Sequence, residues 1–262
     1  FDDGWDAYRE RTLDRQKKLG IVPADTELAA RPDAFPAWET LSEPERKLYA
    51  RQMEVFAGFS ENADWNVGRL LDSVEEMGEL DNTLVIYIWG DNGASMEGTT
   101  TGSFNETTFF NGVVLDAEEQ LALIEKFGGV AELGGFHTAP HFAAAWAHAN
   151  NTPFRWGKQM ASHLGGTRDP MVISWPRKIA AGGDLRTQFT HCIDVVPTVL
   201  EVIGLPEPPR VDGVEQEPMD GTPFTYTLSE ADALAEERHT VQYFEMYGSR
   251  AIYKDGWWAC AR

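Results

Sequence analysis

The stretch Thr83-Leu-Val-Ile-Tyr-Ile-Trp89, stopped by Gly90-Asp91-Asn92-Gly93, restricts the fold more than any other part of the sequence. Its β-branched, aromatic and aliphatic residues show no polar alternation. Such a run reads as a strand covered on both faces, as in a parallel sheet, which points to an α/β fold. In open α/β sheets, ligands sit beyond the carboxyl ends of the strands. Asp91 and Asn92 stand at that end and offer a carboxylate and an amide oxygen, hard donors suited to Ca²⁺ or Mg²⁺. Gly90 and Gly93 allow a tight turn that aims both side chains at one point. By itself, Asp-Asn-Gly is more often a plain turn than a ligand pair, so its surroundings must decide.

Those surroundings are globular. Hydrophobic residues make up 42% of the 262, with 9 Trp and 14 Phe, enough to bury a sizeable core. No apolar run approaches the roughly 20 residues that span a membrane. The net charge is −20, from 42 acidic and 22 basic residues. No Lys/Arg cluster supplies a basic face, which excludes a generic nucleic-acid binder. An anionic substrate would need a locally positive pocket, made by a metal or a few placed cations. Cys192 and Cys260 form no CxxC pair and read as isolated or buried thiols rather than a zinc or redox site.

Helical spacing of Trp5, Tyr8, Thr12 and Leu19 predicts a first helix, capped by Asp2 or Asp3 and ended by Gly20. Leu48, Val55, Phe56, Phe59, Ala63, Val67, Leu70, Leu71, Val74 and Met77 predict a long helix from about Glu43 to Met77, closed by Gly78. Ser42 and Glu45 form its capping box. Residues 94–140 read as a long surface excursion with one helical stretch near Ala117–Phe127. A helix over Phe142–Ala149 follows. Met171–Trp175 is a second buried strand, and Ile193–Ile203 a helix with Asp194 near its start, most simply a cap. The texture then changes to short strands at Val241–Met246, Ala251–Tyr253 and Trp257–Cys260. These divide the chain into a central part, 1–204, and a smaller antiparallel part, 205–262. A hairpin ending at Arg262 leaves an apolar edge unpaired, so the chain is expected to be part of a longer one. Any signal segment is expected outside these residues.

Two further positions carry chemistry. Lys158 and His163 lie on the segment leading to Gly165-Gly166 and the second strand. A lysine there can hold an anionic oxygen, and a histidine can donate to a leaving group. Either residue alone is more often a solvated lysine or a packed histidine. His191 and Asp194 read as structural. His137 and His141 are four apart, but Pro140 spoils a helical metal pair.

Taken together, four segments resemble the sulfatase family. Asp81 to Gly93 resembles its strand ending in Asp-Asn-Gly. Gly165-Gly-Thr-Arg-Asp-Pro-Met-Val-Ile-Ser-Trp-Pro176 resembles its Gly-Gly-x-Arg-x-Pro strand. Asp194-Val-Val-Pro-Thr-Val-Leu200 resembles its Asp-x-x-Pro-Thr helix, and Asp64 to Leu71 is similar to a further family helix. The resemblance is to the large bacterial arylsulfatases. It implies a partial alkaline-phosphatase-like α/β/α sandwich with the start of a small C-terminal antiparallel subdomain. It also implies hydrolysis of a small-molecule sulfate ester at a formylglycine nucleophile, here located outside the chain. Asp91 and Asn92 would be metal ligands for Ca²⁺, or Mg²⁺, and Lys158 would contact the sulfate. His163 has no clear family role. Ser42-Glu-Pro-Glu-Arg46 matches the nucleophile pattern literally, but it opens a helix and falls in the wrong order. One extra residue separates Lys158 from Gly165-Gly166, and Leu164 replaces a usual Glu. Phosphonate monoester or phosphodiester hydrolysis is the alternative within the superfamily. A catalytically silent fragment is the alternative outside it, because a nucleophile is needed to complete the covalent chemistry.

Overall fold

The computed structural model describes residues 1–90, 92–179, 182–229 and 234–261. The chain divides into two compact units, one of Phe1–Ser73 with Asn92–Pro170, the other of Val74–Asp91 with Met171–Arg262.

The first unit is helical and is organised by tryptophans. Helix α1 spans Gly4–Lys18, α2 Glu43–Glu76, α3 Thr107–Phe110, α4 Ala117–Ile124 and α5 Ala144–Asn150. The seven residues of α5 are mostly alanines, small enough for neighbours to close in on all sides, and Ala144 to Ala149 are all buried. Trp146 stands edge-on to Trp5 at 5.7 Å and packs against Trp38 at 5.9 Å. Each indole N–H has a carbonyl: Trp5 donates to Pro36, Trp38 to Asp2 and Trp146 to Tyr49. The rings thus bury their large area without an orphaned donor. Gly4, at φ +79°, lies where a Cβ would fall 2.1 Å from the Trp38 ring, so no other residue fits there.

Buried Gln52 on α2 ties three segments together. Its amide donates to the Thr101 carbonyl and accepts the N–H of Ala143, at 3.0 and 3.1 Å. The stretch 94–140 is therefore more than the surface excursion expected. Phe104, Ala117, Ile124 and Leu133 enter the core, and Ser103 pairs with His141 through two 2.8 Å backbone bonds. Its Gly-, Thr- and Asn-rich turns conceal sparse but well-spaced apolar anchors. The helix expected at Ala117–Phe127 is α4 plus one tighter turn, opened by an Asp116–Glu119 capping box.

Two helix expectations need correction. Asp3 precedes α1 but caps nothing with its side chain; its carboxylate pairs with Arg11 instead. Leu19 is exposed, and Trp5, Arg9 and Leu13 are the side chains that the helix buries. In α2 the apolar period holds, but burial stops after Met53: Phe59, Leu70 and Met77 are each more than half exposed. The Ser42–Glu45 capping box is present, with the Ser42 hydroxyl donating to Glu45 at 2.7 Å and the Ser42 N–H at 2.8 Å. That engagement explains Ser42 as a helix cap.

In the second unit, β1 (Val85–Ile88) pairs with β2 (Met171–Ser174) antiparallel, Val85 opposite Ser174. The expectation of two strands buried as in a parallel sheet is overturned for this pair. Val172 is 63% exposed and Trp89 39%. A short continuous apolar run does not encode strand direction, and this sheet has two strands among the described residues. Helix α6 (Val195–Ile203) ends at Gly204 in the left-handed region, as anticipated. A small hairpin, β3 (Arg210–Val211) and β4 (Val214–Glu215), turns on Asp212-Gly213 with positive φ at both, a signal the sequence reading passed over. The strands β5 (Val241–Met246), β6 (Ser249–Lys254) and β7 (Trp257–Ala261) form an antiparallel meander. Its turns use Tyr247-Gly248 and Asp255-Gly256, again with paired positive φ. Both cysteines are exposed and unbridged.

Asp194 is the polar centre of this unit. It is fully buried, accepts the N–H groups of His191 and Thr222 at 2.8 and 2.7 Å, and places both oxygens 2.8 Å from His239 Nδ1. Its side chain makes no cap hydrogen bond to α6 itself; it closes the capping box of the turn before that helix and also holds His239 on the approach to β5. Asp194→Ala strands a buried imidazole and two backbone donors. It is expected to cost about 3 kcal/mol, measured as a lower urea midpoint with an unchanged slope. A loss under about 0.5 kcal/mol would contradict the central role of this carboxylate.

His148, in the first unit, is 1% exposed, and among the described residues neither ring nitrogen has a hydrogen-bond partner. Burial, with Arg9, Arg155 and Arg31 nearby, pushes its pKa down to about 4. A histidine depressed in the folded state contributes stability above its unfolded pKa of about 6.5, lost as pH falls through its folded value. Acidification from about 6.5 to about 4 is therefore expected to weaken the protein, by up to about 3 kcal/mol. His148→Phe should flatten that part of the stability–pH profile without a loss at pH 7.

Candidate functional site

The loop after β1 carries the first candidates. Asp91 lies outside the described residues. Asn92 has an exposed side chain, and among the described residues no hydrogen bond occupies its amide. Gly93 follows at φ +79°, where a Cβ would lie 2.1 Å from the Gly165 carbonyl oxygen. The Gly93 N–H donates to Asp169 at 3.1 Å. The next N–H, of Ala94, donates to the Asn151 side chain at 3.0 Å, and the Ala94 carbonyl accepts the Lys158 N–H at 3.0 Å. Bare backbone at Gly93 and Gly165 lets two distant segments lie against each other, and three hydrogen bonds lock the contact.

This frame brings together three of the four residues singled out in the sequence. Lys158 is attached directly to the Asn92 loop. Its ammonium points to Glu97, with both carboxylate oxygens at 3.2 Å. Burial raises the Glu97 pKa, but the Lys158 and Ser95 hydrogen bonds outweigh it and hold the carboxyl below the ordinary range. His163 stands at the start of the turn through Gly165. Its Nδ1 lies 2.8 Å from the Ser162 hydroxyl, and the indole of Trp156 stands edge-on to its ring at 6.3 Å. Arg168 leaves the same turn with its guanidinium over the Phe154 ring, and burial lowers its pKa.

Ser95 and Glu97 were not singled out in the sequence, and His141 was weighed there only as half of a metal pair with His137. Ser95 Oγ lies 3.1 Å from Glu97 Oε2, and His141 Nε2 lies 3.0 Å from Ser95 Oγ. His141 Nδ1 faces the Phe142 carbonyl at 3.0 Å, so that nitrogen donates. The result is a continuous polar chain from His141 through Ser95 and Glu97 to Lys158. His137 takes no part in it; its ring stacks on Phe127. The sequence signal for Glu97 was its place five residues after Asn92. A search for positive groups to hold an anion passes over an acid.

The donors suit a hard divalent cation in kind. An unengaged amide oxygen at Asn92, preceded by the carboxylate of Asp91, matches oxygen-ligand chemistry. They do not suffice in number, since Ca²⁺ takes six to eight oxygens. Among the described residues, no cluster of three His, Cys, Asp or Glu side chains could hold a metal.

The family model for sulfatases matches residues 2–205. The chain belongs to the sulfatase family. It therefore has the alkaline-phosphatase-like α/β fold, here with small antiparallel sheets. It is 32% identical over 79% of its length to an uncharacterized sulfatase of Schizosaccharomyces pombe. Over 78% it is 28% identical to an arylsulfatase of Klebsiella aerogenes, and over 64% it is 27% identical to human steryl-sulfatase. This sulfatase chain spans 35% and 40% of the lengths of the first two relatives and 22% of the third. No helix among the described residues is long and apolar enough to cross a membrane.

The glycine contact yields a graded test. Gly78 has φ +75° with nothing near its Cβ position, whereas Gly93 combines φ +79° with the Gly165 carbonyl. Gly78→Ala should cost about 1 kcal/mol of backbone strain. Gly93→Ala should cost at least about 2 kcal/mol more, as the loop is forced off its neighbour. Equal unfolding midpoints for the two variants would mean the close approach does not exist.

Proposed function

We propose that these residues are the central and C-terminal part of an arylsulfatase, an enzyme that cleaves sulfate esters to sulfate and a phenol or alcohol. The S–O bond to the leaving group breaks, water supplies the new S–O bond, and the leaving oxygen takes a proton. The formylglycine nucleophile belongs to residues outside this chain. The observation that carries the reading is the placement of Lys158 on the Asn92 loop, through its own N–H to the Ala94 carbonyl. An anion-holding ammonium and a metal-type amide oxygen thus share one rigid frame. Family membership supports the ester class, and the arylsulfatase among the relatives supports the aryl leaving group.

Each residue has a role in this reading. Asp91 and Asn92 would hold Ca²⁺, or Mg²⁺, which when bound would supply Lewis-acid polarisation of the sulfate oxygens. An amide oxygen rather than an imidazole favours these hard ions over Mn²⁺ or Zn²⁺, which weighs against the phosphonate or phosphodiester alternative. Lys158 donates one ammonium proton to a sulfate oxygen. His163 is the proton donor to the leaving oxygen.

The test uses the full-length protein with an aryl sulfate. Lys158→Ala is expected to lower kcat/KM about 100-fold. A chelator should remove turnover and Ca²⁺ restore it. Preference for a phosphonate monoester over the sulfate ester would replace this reading with the alternative. The 262 residues alone, with two metal donors and one lysine, are expected to turn over nothing; activity from them would return attention to Ser42.

A further inference from the structure

Lys158 meets a carboxylate where an anion-binding lysine would be expected to stand bare. Both oxygens of Glu97 lie 3.2 Å from Nζ, and the side chains of the pair are 31% and 29% exposed. A carboxylate beside an anion site opposes binding of the anion. Its presence there therefore calls for a gain of another kind.

The geometry supplies one. Lysine is a flexible four-carbon stem ending in three rotatable donors. Here it is tied at both ends to a single loop: its backbone N–H to Ala94 and its ammonium to Glu97, three residues further on. With both Glu97 oxygens at 3.2 Å from Nζ, the ammonium is turned towards the carboxylate, and the donors that Glu97 does not engage face away from it. Glu97 is itself held from behind. Its N–H donates to Ser95 Oγ at 3.3 Å, and that hydroxyl lies 3.1 Å from Oε2. Ser95 is backed by His141 Nε2 at 3.0 Å. His141 in turn is fixed by its paired backbone bonds with Ser103. The contacts run from the core through His141 and Ser95 to the carboxylate that meets the ammonium.

We propose that Glu97 is a positioning residue for Lys158, turning the ammonium donors it does not engage towards the sulfate while tempering ground-state hold on the anion. The inference rests on the reading that Lys158 contacts the sulfate. Interactions that tighten only as the reaction proceeds raise kcat, whereas uniform binding does not. A lysine paired with a carboxylate is suited to the first kind.

The experiment uses the full-length protein, an aryl sulfate as substrate and inorganic sulfate as a competitive probe. Glu97→Gln keeps the size and one acceptor but removes the charge. It is expected to lower kcat about tenfold or more, while the inhibition constant for sulfate tightens severalfold. A merely structural role would not produce that split. In a Lys158→Ala background, Glu97→Gln should change kcat by less than about twofold, since it acts through the lysine. Should Glu97→Gln fail to fold by thermal unfolding, Glu97→Asp serves instead: it keeps the charge but withdraws the carboxylate, so kcat should fall with the sulfate constant unchanged. The proposal is overturned if kcat of the folded variant stays within twofold of the parent, or if the losses of the Glu97 and Lys158 variants multiply. Lys158→Ala with parental activity would instead overturn the sulfate-contact reading, and this inference with it.

Discussion

The approach of Gly93 to Gly165 is the constraint on which the candidate site depends. A side chain at Gly93 would occupy the space of the Gly165 carbonyl. That approach brings the Asn92 loop against the segment bearing Lys158 and His163. Once it is made, the hydrogen bonds from Gly93 to Asp169, Ala94 to Asn151 and Lys158 to Ala94 close around it. Each is an ordinary bond of modest net worth. Their joint effect is geometric, because each fixes a different atom of the same short loop.

The frame needs a foundation, which the tryptophan core supplies. Gln52 carries that core to the loop region, since one amide holds both Thr101 and Ala143. Ala143 opens the buried helix α5, and Asn151, which receives the Ala94 N–H, ends it. The path from Trp146 to the Asn92 loop is therefore a few buried residues long. A stiff, fully packed helix at its centre makes the position of the loop a consequence of core packing. His141 reaches the same loop from the other side, held by its pairing with Ser103.

Much of this was legible in the sequence where the signal was local. The extent of α2, the end of α6 at Gly204, the strand β5 and the Ser42–Glu45 cap all follow from capping chemistry, periodicity and turn residues. Asn92, at the carboxyl end of an apolar strand, and Lys158 and His163, on the approach to Gly165-Gly166, were singled out by residue type and place, and four motifs in order then carried the family resemblance. The misses have physical causes. The run Leu84–Trp89 is apolar enough for a central strand, but apolarity does not specify its partner's direction, and the pairing came out antiparallel. The stretch 94–140 has the texture of loops, and its core contribution rests on four scattered residues. Glu97 and Ser95 became visible only when the fold brought Lys158 back to them from about sixty positions away.

The acid in the site also bears on the charge of the whole chain. At −20, the protein repels an anionic ester at long range, though salt screens that field beyond about 10 Å. Local positive charge must offset the remainder. The lysine on the Asn92 frame cannot do so alone, because Glu97 neutralises it at 3.2 Å. On the proposed reading, net attraction for the sulfate then falls to the divalent ion at Asp91 and Asn92 and to cations from the rest of the enzyme. Lys158 is left with a narrower task, that of directing one hydrogen bond. On that reading, binding of the ester would depend on the metal and its turnover on the lysine, because the Glu97 carboxylate offsets the charge of Lys158 while holding its ammonium in place.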